Sequence, residues 1–147
     1  MSQQKKSWLR ALFGGREMPP DKAPAVAKRT ILVIDDDPSF LNGIKEMLLA
    51  AEFAVLAADS GVKGLNLVRY STNNISAVVV DYRMPRLDGL DTVRYLRELS
   101  PQTKVIAVSG VPPADIPAPF RENVDHFLEK PFHRQQLLDA LTAALAG

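Results

Sequence analysis

Three carboxylates stand out by their placement along the chain. Asp35 and Asp36 directly follow the apolar run Ile31-Leu32-Val33-Ile34, and Asp81 directly follows Ala77-Val78-Val79-Val80. Each run has the length and β-branched content of a buried strand. If the two strands lie side by side and parallel, all three acids meet at one edge of the sheet. Like charges repel there, and a hard, oxygen-seeking dication such as Mg2+ would relieve the repulsion. Ser109 closes a later apolar run, Val105-Ile106-Ala107-Val108, and Lys130 stands directly before Pro131. A hydroxyl and an ammonium are groups suited to holding the oxygens of a phosphoryl group. The chemistry these residues point to is a cation site with a phosphoryl-binding site beside it.

Five strands are expected to carry these residues, at 30–34, 53–57, 76–80, 104–108 and 124–128, with helices between them. Asp37-Pro38 opens the first helix, Asp as the cap and Pro in the first turn. Phe40, Ile44, Met47 and Leu48 then follow at i, i+4, i+7 and i+8. A second helix starts from Ser60 and carries Leu65 and Val68. The loop Met84-Pro85-Arg86-Leu87-Asp88-Gly89 leads into a third, capped by Asp88, with Leu90, Val93 and Leu96; it stops before Ser100-Pro101. Residues 111–122 hold Pro112, Pro113, Pro117 and Pro119, so at most a short or distorted helix is expected there. The closing helix carries Leu137, Leu138, Leu141 and Leu145.

Strands rich in Val and Ile without polar alternation are buried on both faces, which requires helices on both sides of a parallel sheet. The expected fold class is therefore α/β, a five-stranded parallel, doubly wound sheet in a three-layer sandwich. Ligands of such sheets bind outside the carboxyl ends of the strands, where strand order reverses. Asp35, Asp36, Asp81, Ser109 and Lys130 all fall at or just beyond such ends.

Composition bounds the rest. The chain has 147 residues, 46% hydrophobic and 24% charged, and no cysteine, which excludes disulfides and thiolate metal sites and suits a reducing cytoplasm. No apolar stretch approaches the roughly 18 residues that span a bilayer. The apolar patch at 8–13 is broken by Arg10 and makes a poor signal peptide. The net charge of +1 hides an asymmetry: residues 1–29 hold seven Lys/Arg against Glu17 and Asp21, and the remainder is net acidic. Gly14-Gly15, Pro19-Pro20 and Pro24 give residues 14–29 a linker composition. Two parts are expected: a flexible basic tail, 1–29, and one domain, 30–147. Within the tail, Trp8, Leu9, Leu12 and Phe13 share a helical face flanked by Lys5, Lys6, Arg10 and Arg16. That pattern suits a helix at 5–16 docking on a partner or a membrane surface, against the plainer reading of a structureless leader.

Four motifs in order give the domain a family resemblance. They are Ile31-Leu32-Val33-Ile34-Asp35-Asp36-Asp37, Val80-Asp81-Tyr82-Arg83-Met84-Pro85-Arg86-Leu87-Asp88-Gly89, Val105-Ile106-Ala107-Val108-Ser109-Gly110 and Glu129-Lys130-Pro131-Phe132. Together they resemble the receiver domain of two-component response regulators, over residues 30–147. The resemblance implies a flavodoxin-like (βα)5 fold and a phosphorylation-controlled signalling module, not a conventional enzyme. Asp81 would accept a phosphoryl group from a histidine kinase or phosphotransfer protein. Mg2+ would be held by Asp35, Asp36, Asp81 and the backbone carbonyl of Arg83. Ser109 and Lys130 would bind phosphoryl oxygens, and the Lys130-Pro131 bond would be cis. Phe127 stands where the family places a rotating aromatic, here without a hydroxyl, so its coupling to Ser109 would rest on packing. Arg83 and Val111 would flank the water path for phosphoryl loss, and Val111 cannot hydrogen-bond a water.

With no second domain expected after the last helix, the reading is a stand-alone receiver that acts on a downstream protein and does not bind DNA directly. Two alternatives compete with it. Asp35-x-Asp37 with Ser109 and Lys130 also resembles haloacid-dehalogenase-like phosphatases, with Asp35 as nucleophile, though Asp81 is then unexplained. The other is a phosphorylation-independent binding module of the same fold. His126 and His133 lack partners at metal-ligand spacing and are read as structural or exposed.

Overall fold

A computed structural model describes residues 28–71 and 74–146. Residues 1–27 of the expected tail, and with them the helix expected at 5–16, lie outside the described residues. Five strands form one parallel sheet: β1 (Thr30–Ile34), β2 (Ala54–Ala58), β3 (Ile75–Asp81), β4 (Lys104–Ser109) and β5 (His126–Glu129). Their order is β2-β1-β3-β4-β5. After β2 pairs with one side of β1 the chain returns to pair β3 with the other, so the order reverses between β1 and β3. That crevice is where a doubly wound sheet offers a ligand site.

Alternation along each strand builds two cores from one sheet, because successive side chains point to opposite faces. Leu32, Ile34, Val78, Val80, Val105 and Ala107 lie in one buried cluster, and Ile31, Val33, Ala77, Val79, Ile106 and Val108 in the other. Helices α1 (Pro38–Ala50) and α5 (Arg134–Ala146) cover the second face with Ile44, Leu48, Leu137 and Leu141. Helix α3 (Gly89–Leu99) covers the first with Val93 and Leu96, beside α2 (Gly61–Tyr70) and the short α4 (Ala118–Glu122) with its fully buried Phe120. The three-layer α/β sandwich read from the sequence is the observed fold.

The helix starts follow their capping residues. Asp37 accepts from the backbone N–H of Ser39 and Phe40, Ser60 from Lys63, and Asp88 from Asp91, each satisfying donors that a first turn leaves free. The proline-rich segment forms only a 3-10 turn at Pro113–Asp115 and the five-residue α4. Pro117 precedes α4, and its carbonyl takes the Phe120 N–H.

Boundaries differ from expectation where hydrogen bonds decide them. β2 starts one residue late because the Phe53 N–H closes the end of α1 on the Leu48 carbonyl, after Glu52 turns through φ 68°. β5 starts at His126, with Asp125 ahead of it accepting the Val105 N–H on its carboxylate. β3 and β4 run one residue further than expected, so Asp81 and Ser109 belong to their strands. Asp81 pairs with Val108, whose carbonyl takes the Tyr82 N–H at 2.9 Å. Both side chains therefore project from the ladder itself, not from a loop beyond it.

Candidate functional site

The carboxyl ends of β1, β3, β4 and β5 bring the expected residues to one place. Carboxylate oxygens of Asp35, Asp36 and Asp81 lie within 4.8 Å of one another, the only such cluster of potential metal ligands among the described residues. Lys130 Nζ stands 3.4 Å from Asp35 Oδ2 and 3.5 Å from Asp81 Oδ2. Asp35 and Asp81 are buried, whereas Asp36 is exposed at the rim.

Backbone geometry aims these groups. The Asp37 N–H donates to Asp35 Oδ1 at 2.9 Å, and the Arg83 N–H donates to Asp81 Oδ1 at 3.3 Å. Each buried acid is thus held at one oxygen by the turn that follows it, leaving the other toward Lys130. Arg83 itself is exposed. Pairing of β4 with β5 places Ser109 against Glu129, and the Lys130 N–H donates to the Ser109 carbonyl at 2.8 Å. Ser109 is buried, and its Oγ accepts the Val111 N–H at 2.9 Å. The Lys130-Pro131 bond is cis. Phe127 pairs with Ala107 and packs, half-buried, against the cluster that holds Ile116 and Phe120.

Burial and crowding set the protonation of the acids. Burial pushes the Asp81 carboxyl up to about 6, the Asp35 charge adds to the rise, and Lys130 opposes it. Burial also raises Asp35, against the Asp37 N–H and Lys130, which lower it. Fully ionised, three carboxylates and one ammonium leave a formal charge of −2, which a divalent cation would offset. An open cleft of about 760 Å3 adjoins the end of β3, lined by Tyr82, Arg83, Met84, Asp88, Val111 and Asp115 among others.

Asp37, the second acid of the Asp35-x-Asp37 motif in the phosphatase alternative, has its carboxylate on the first turn of α1. His126 is partly buried in β5 and His133 is exposed, and neither joins the acidic cluster.

Two residues of the site had a sequence signal that pointed elsewhere. Gly89 reads as a helix start, yet a Cβ there would lie 2.6 Å from the Asp81 carbonyl oxygen and 2.7 Å from Tyr82 Cα. Its lack of a side chain lets α3 begin directly against the end of β3. Phe40 reads as a core position of α1, but the Lys130 ammonium lies 3.8 Å from its ring centroid.

A parallel sheet with an acid cluster, a lysine and a serine at its switch point defines a receiver-like class of α/β protein. The model for the response regulator receiver domain matches residues 31–142. Response regulator MprA of Mycobacterium sp. (strain KMS) is 33% identical over 116 residues, covering 78% of this chain and 50% of that protein. Response regulator protein TodT of Pseudomonas putida is 33% identical over 118 residues, with the same coverages. The chain thus spans half the length of these curated relatives. Among solved structures, a response regulator receiver domain protein from Clostridium thermocellum superposes with TM-score 0.74 at 33% identity, covering 80% of this chain and 94% of that one. A CheY-like receiver domain protein from Methanospirillum hungatei shares the fold, with TM-score 0.76 at 22% identity over 82% of this chain and 95% of its own. The chain belongs to the response regulator receiver family, and residues 31–142 are a receiver domain of the two-component type.

Proposed function

We propose that this domain accepts a phosphoryl group on Asp81 from a histidine kinase or a phosphotransfer protein, and that the phosphorylated form changes its binding to a downstream protein. One observation carries the reading: Asp81 ends β3 with Lys130 Nζ 3.5 Å from its Oδ2 and carboxylate oxygens of Asp35 and Asp36 within 4.8 Å. The assignment extends to a receiver domain of residues 30–147 behind a basic tail of residues 1–29, working in the cytoplasm. A docking role for residues 5–16 on a partner or membrane surface stands beside the plainer reading of that segment as a structureless leader. Direct DNA binding is not part of the proposal.

The donor set fits Mg2+, since hard oxygens with surplus negative charge are what that ion takes. Asp35, Asp36, Asp81 and the Arg83 carbonyl would hold it. Bound there, Mg2+ supplies neutralisation of the phosphoryl oxygens. The remaining work falls to the chain. An Asp81 oxygen forms a bond to phosphorus as the bond from phosphorus to the donor imidazole nitrogen breaks. Lys130 transfers its ammonium from the carboxylates to a phosphoryl oxygen, and the Ser109 hydroxyl donates to another while it still accepts from Val111. In-line transfer of this kind depends on positioning and charge stabilisation more than on covalent chemistry by the protein.

The new group adds roughly −1.5 to −2 charges. Charge-assisted bonds from Lys130 and Ser109 contribute about 1.5–3 kcal/mol each. Inverting a 1:99 population to 99:1 needs about 5.5 kcal/mol, so two such contacts are of the size a switch requires. Movement of Ser109 would pass to Phe127 by packing alone, since a phenyl ring has no hydroxyl to pair.

Intact-mass measurement after treatment with acetyl phosphate and Mg2+ tests the proposal. Wild type is expected to gain about 80 Da, one phosphoryl group, and Asp81→Asn to gain nothing. An equal gain in the variant, or none in wild type, removes it. Beryllofluoride with Mg2+ separates this reading from a phosphorylation-independent module, in which the Phe127 resonances would not move.

A further inference from the structure

Lys130 has a third neighbour that the acid cluster does not call for. Its Nζ lies 3.8 Å from the centroid of the Phe40 ring, while the two carboxylate oxygens are 3.4 and 3.5 Å away. A charge-assisted N–H···O bond normally closes to about 2.7–2.9 Å. The ammonium is therefore shared among three neighbours and locked to none. Attraction between a cation and the negative face of an aromatic ring accounts for the third, well inside the roughly 6 Å over which it acts.

Phe40 is fixed by its surroundings. It sits in the first turn of α1, where its N–H points to the Asp37 cap at 3.4 Å, and it packs half-buried on the core under α1 and α5. Phe132 meets it at 5.8 Å between centroids and 88°, the edge-to-face arrangement aromatic pairs favour. Only Pro131 separates Phe132 from Lys130, so one turn after β5 supplies both the cation and the brace for the ring that receives it.

We propose that Phe40 is a positioning residue for Lys130: its ring face seats the ammonium beside Asp35 and Asp81 without committing it to either. The seat stands on geometry alone, and its consequence for phosphoryl uptake rests on the function proposed above. A lysine drawn tightly onto Asp81 must break a charge-assisted bond before it turns to a phosphoryl oxygen. A lysine held partly by a ring gives up a weaker and less directional attraction. Leucine at position 40 keeps apolar bulk and helix propensity but has no face, so the ammonium closes on the two carboxylates.

The test uses the whole chain with Phe40→Leu and Phe40→Tyr. A ring face shifts the resonances of protons above it upfield, so the Lys130 Hε signals are expected upfield of other lysines in wild type. They should move downfield in Phe40→Leu and return in Phe40→Tyr. Phosphoryl uptake from acetyl phosphate, followed by intact mass, should slow about 2- to 10-fold in Phe40→Leu and recover in Phe40→Tyr. Lys130 resonances that are the same in wild type and Phe40→Leu overturn the proposal, as does Phe40→Tyr that remains as slow as Phe40→Leu. Should wild type gain no phosphoryl mass, the functional reading fails, and the lysine resonances alone then decide the seat.

Discussion

Asp81 carries two conflicting requirements in one side chain. The acceptor role proposed for it demands an ionised carboxylate, while burial and the neighbouring Asp35 push its pKa up to about 6. Without a divalent cation the folded state then binds a proton more tightly than the unfolded chain, whose value is near 3.8. The sign follows from linkage: stability is highest below about pH 4 for this group and falls as pH rises through 6, by about 3 kcal/mol at most. Asp35 shifts in the same direction. Asp81→Asn removes the ionisation, so in metal-free buffer it should be more stable than wild type at pH 7 and closer to it at pH 4.5. Urea unfolding at the two pH values measures the difference, and an equal gain at both would contradict it. Asp125 behaves oppositely: burial raises its pKa, but the Val105 N–H and Arg97 outweigh that and lower it, so its contribution is lost only as pH falls below the ordinary carboxylate range.

At the scale of elements, two glycines in helices have opposite meanings. Gly43 lies within α1 with nothing within 4 Å of where a Cβ would stand. Gly43→Ala should therefore stabilise the protein by about 0.5–1 kcal/mol, through the backbone entropy that glycine loses in a helix. Gly89 opens α3 with the Asp81 and Tyr82 backbone 2.6–2.8 Å from that position. Backbone cannot swing aside as a side chain does, so Gly89→Ala should destabilise by about 1–3 kcal/mol and displace the end of β3. Denaturant midpoints read the signs, and loss of Mg2+ affinity in Gly89→Ala alone would report the displacement. Arg97 plays the corresponding part at the other end of α3. Its guanidinium donates to the carbonyls of Thr103 and Asn123 and to Asp125, tying the helix to the starts of β4 and β5.

For the whole molecule, the site concentrates negative charge in a domain that is otherwise mixed. Two buried acids and a third at the rim, opposed by one lysine, destabilise the metal-free fold and favour any dication that binds it. Free Mg2+ at tenfold its dissociation constant should raise unfolding stability by roughly 1.4 kcal/mol. Asp35→Asn should abolish most of that gain, and thermal unfolding with and without the ion is the measurement. No helix among the described residues is long and apolar enough to cross a membrane.

Local chemistry was legible in the chain because it is written within a few residues. Asp37, Ser60 and Asp88 cap helices as their positions implied, and uninterrupted Val/Ile runs became strands buried on both faces. The candidate acids, Ser109 and Lys130 were likewise marked by their places at strand ends. Tertiary structure alone decided what those places meant for one another. Lys130 reaches Asp35 across 95 positions of sequence because the parallel strands all end at one edge of the sheet, where the lysine side chain extends from the edge strand β5 past β4 toward the β1–β3 crevice. The face of Phe40 against Lys130 and the clearance beneath Gly89 depend on how α1 and α3 settle on the sheet. Periodicity fixes which face a residue is on, whereas through-space charge and close packing depend on register and approach, and those exist only once the layers have met.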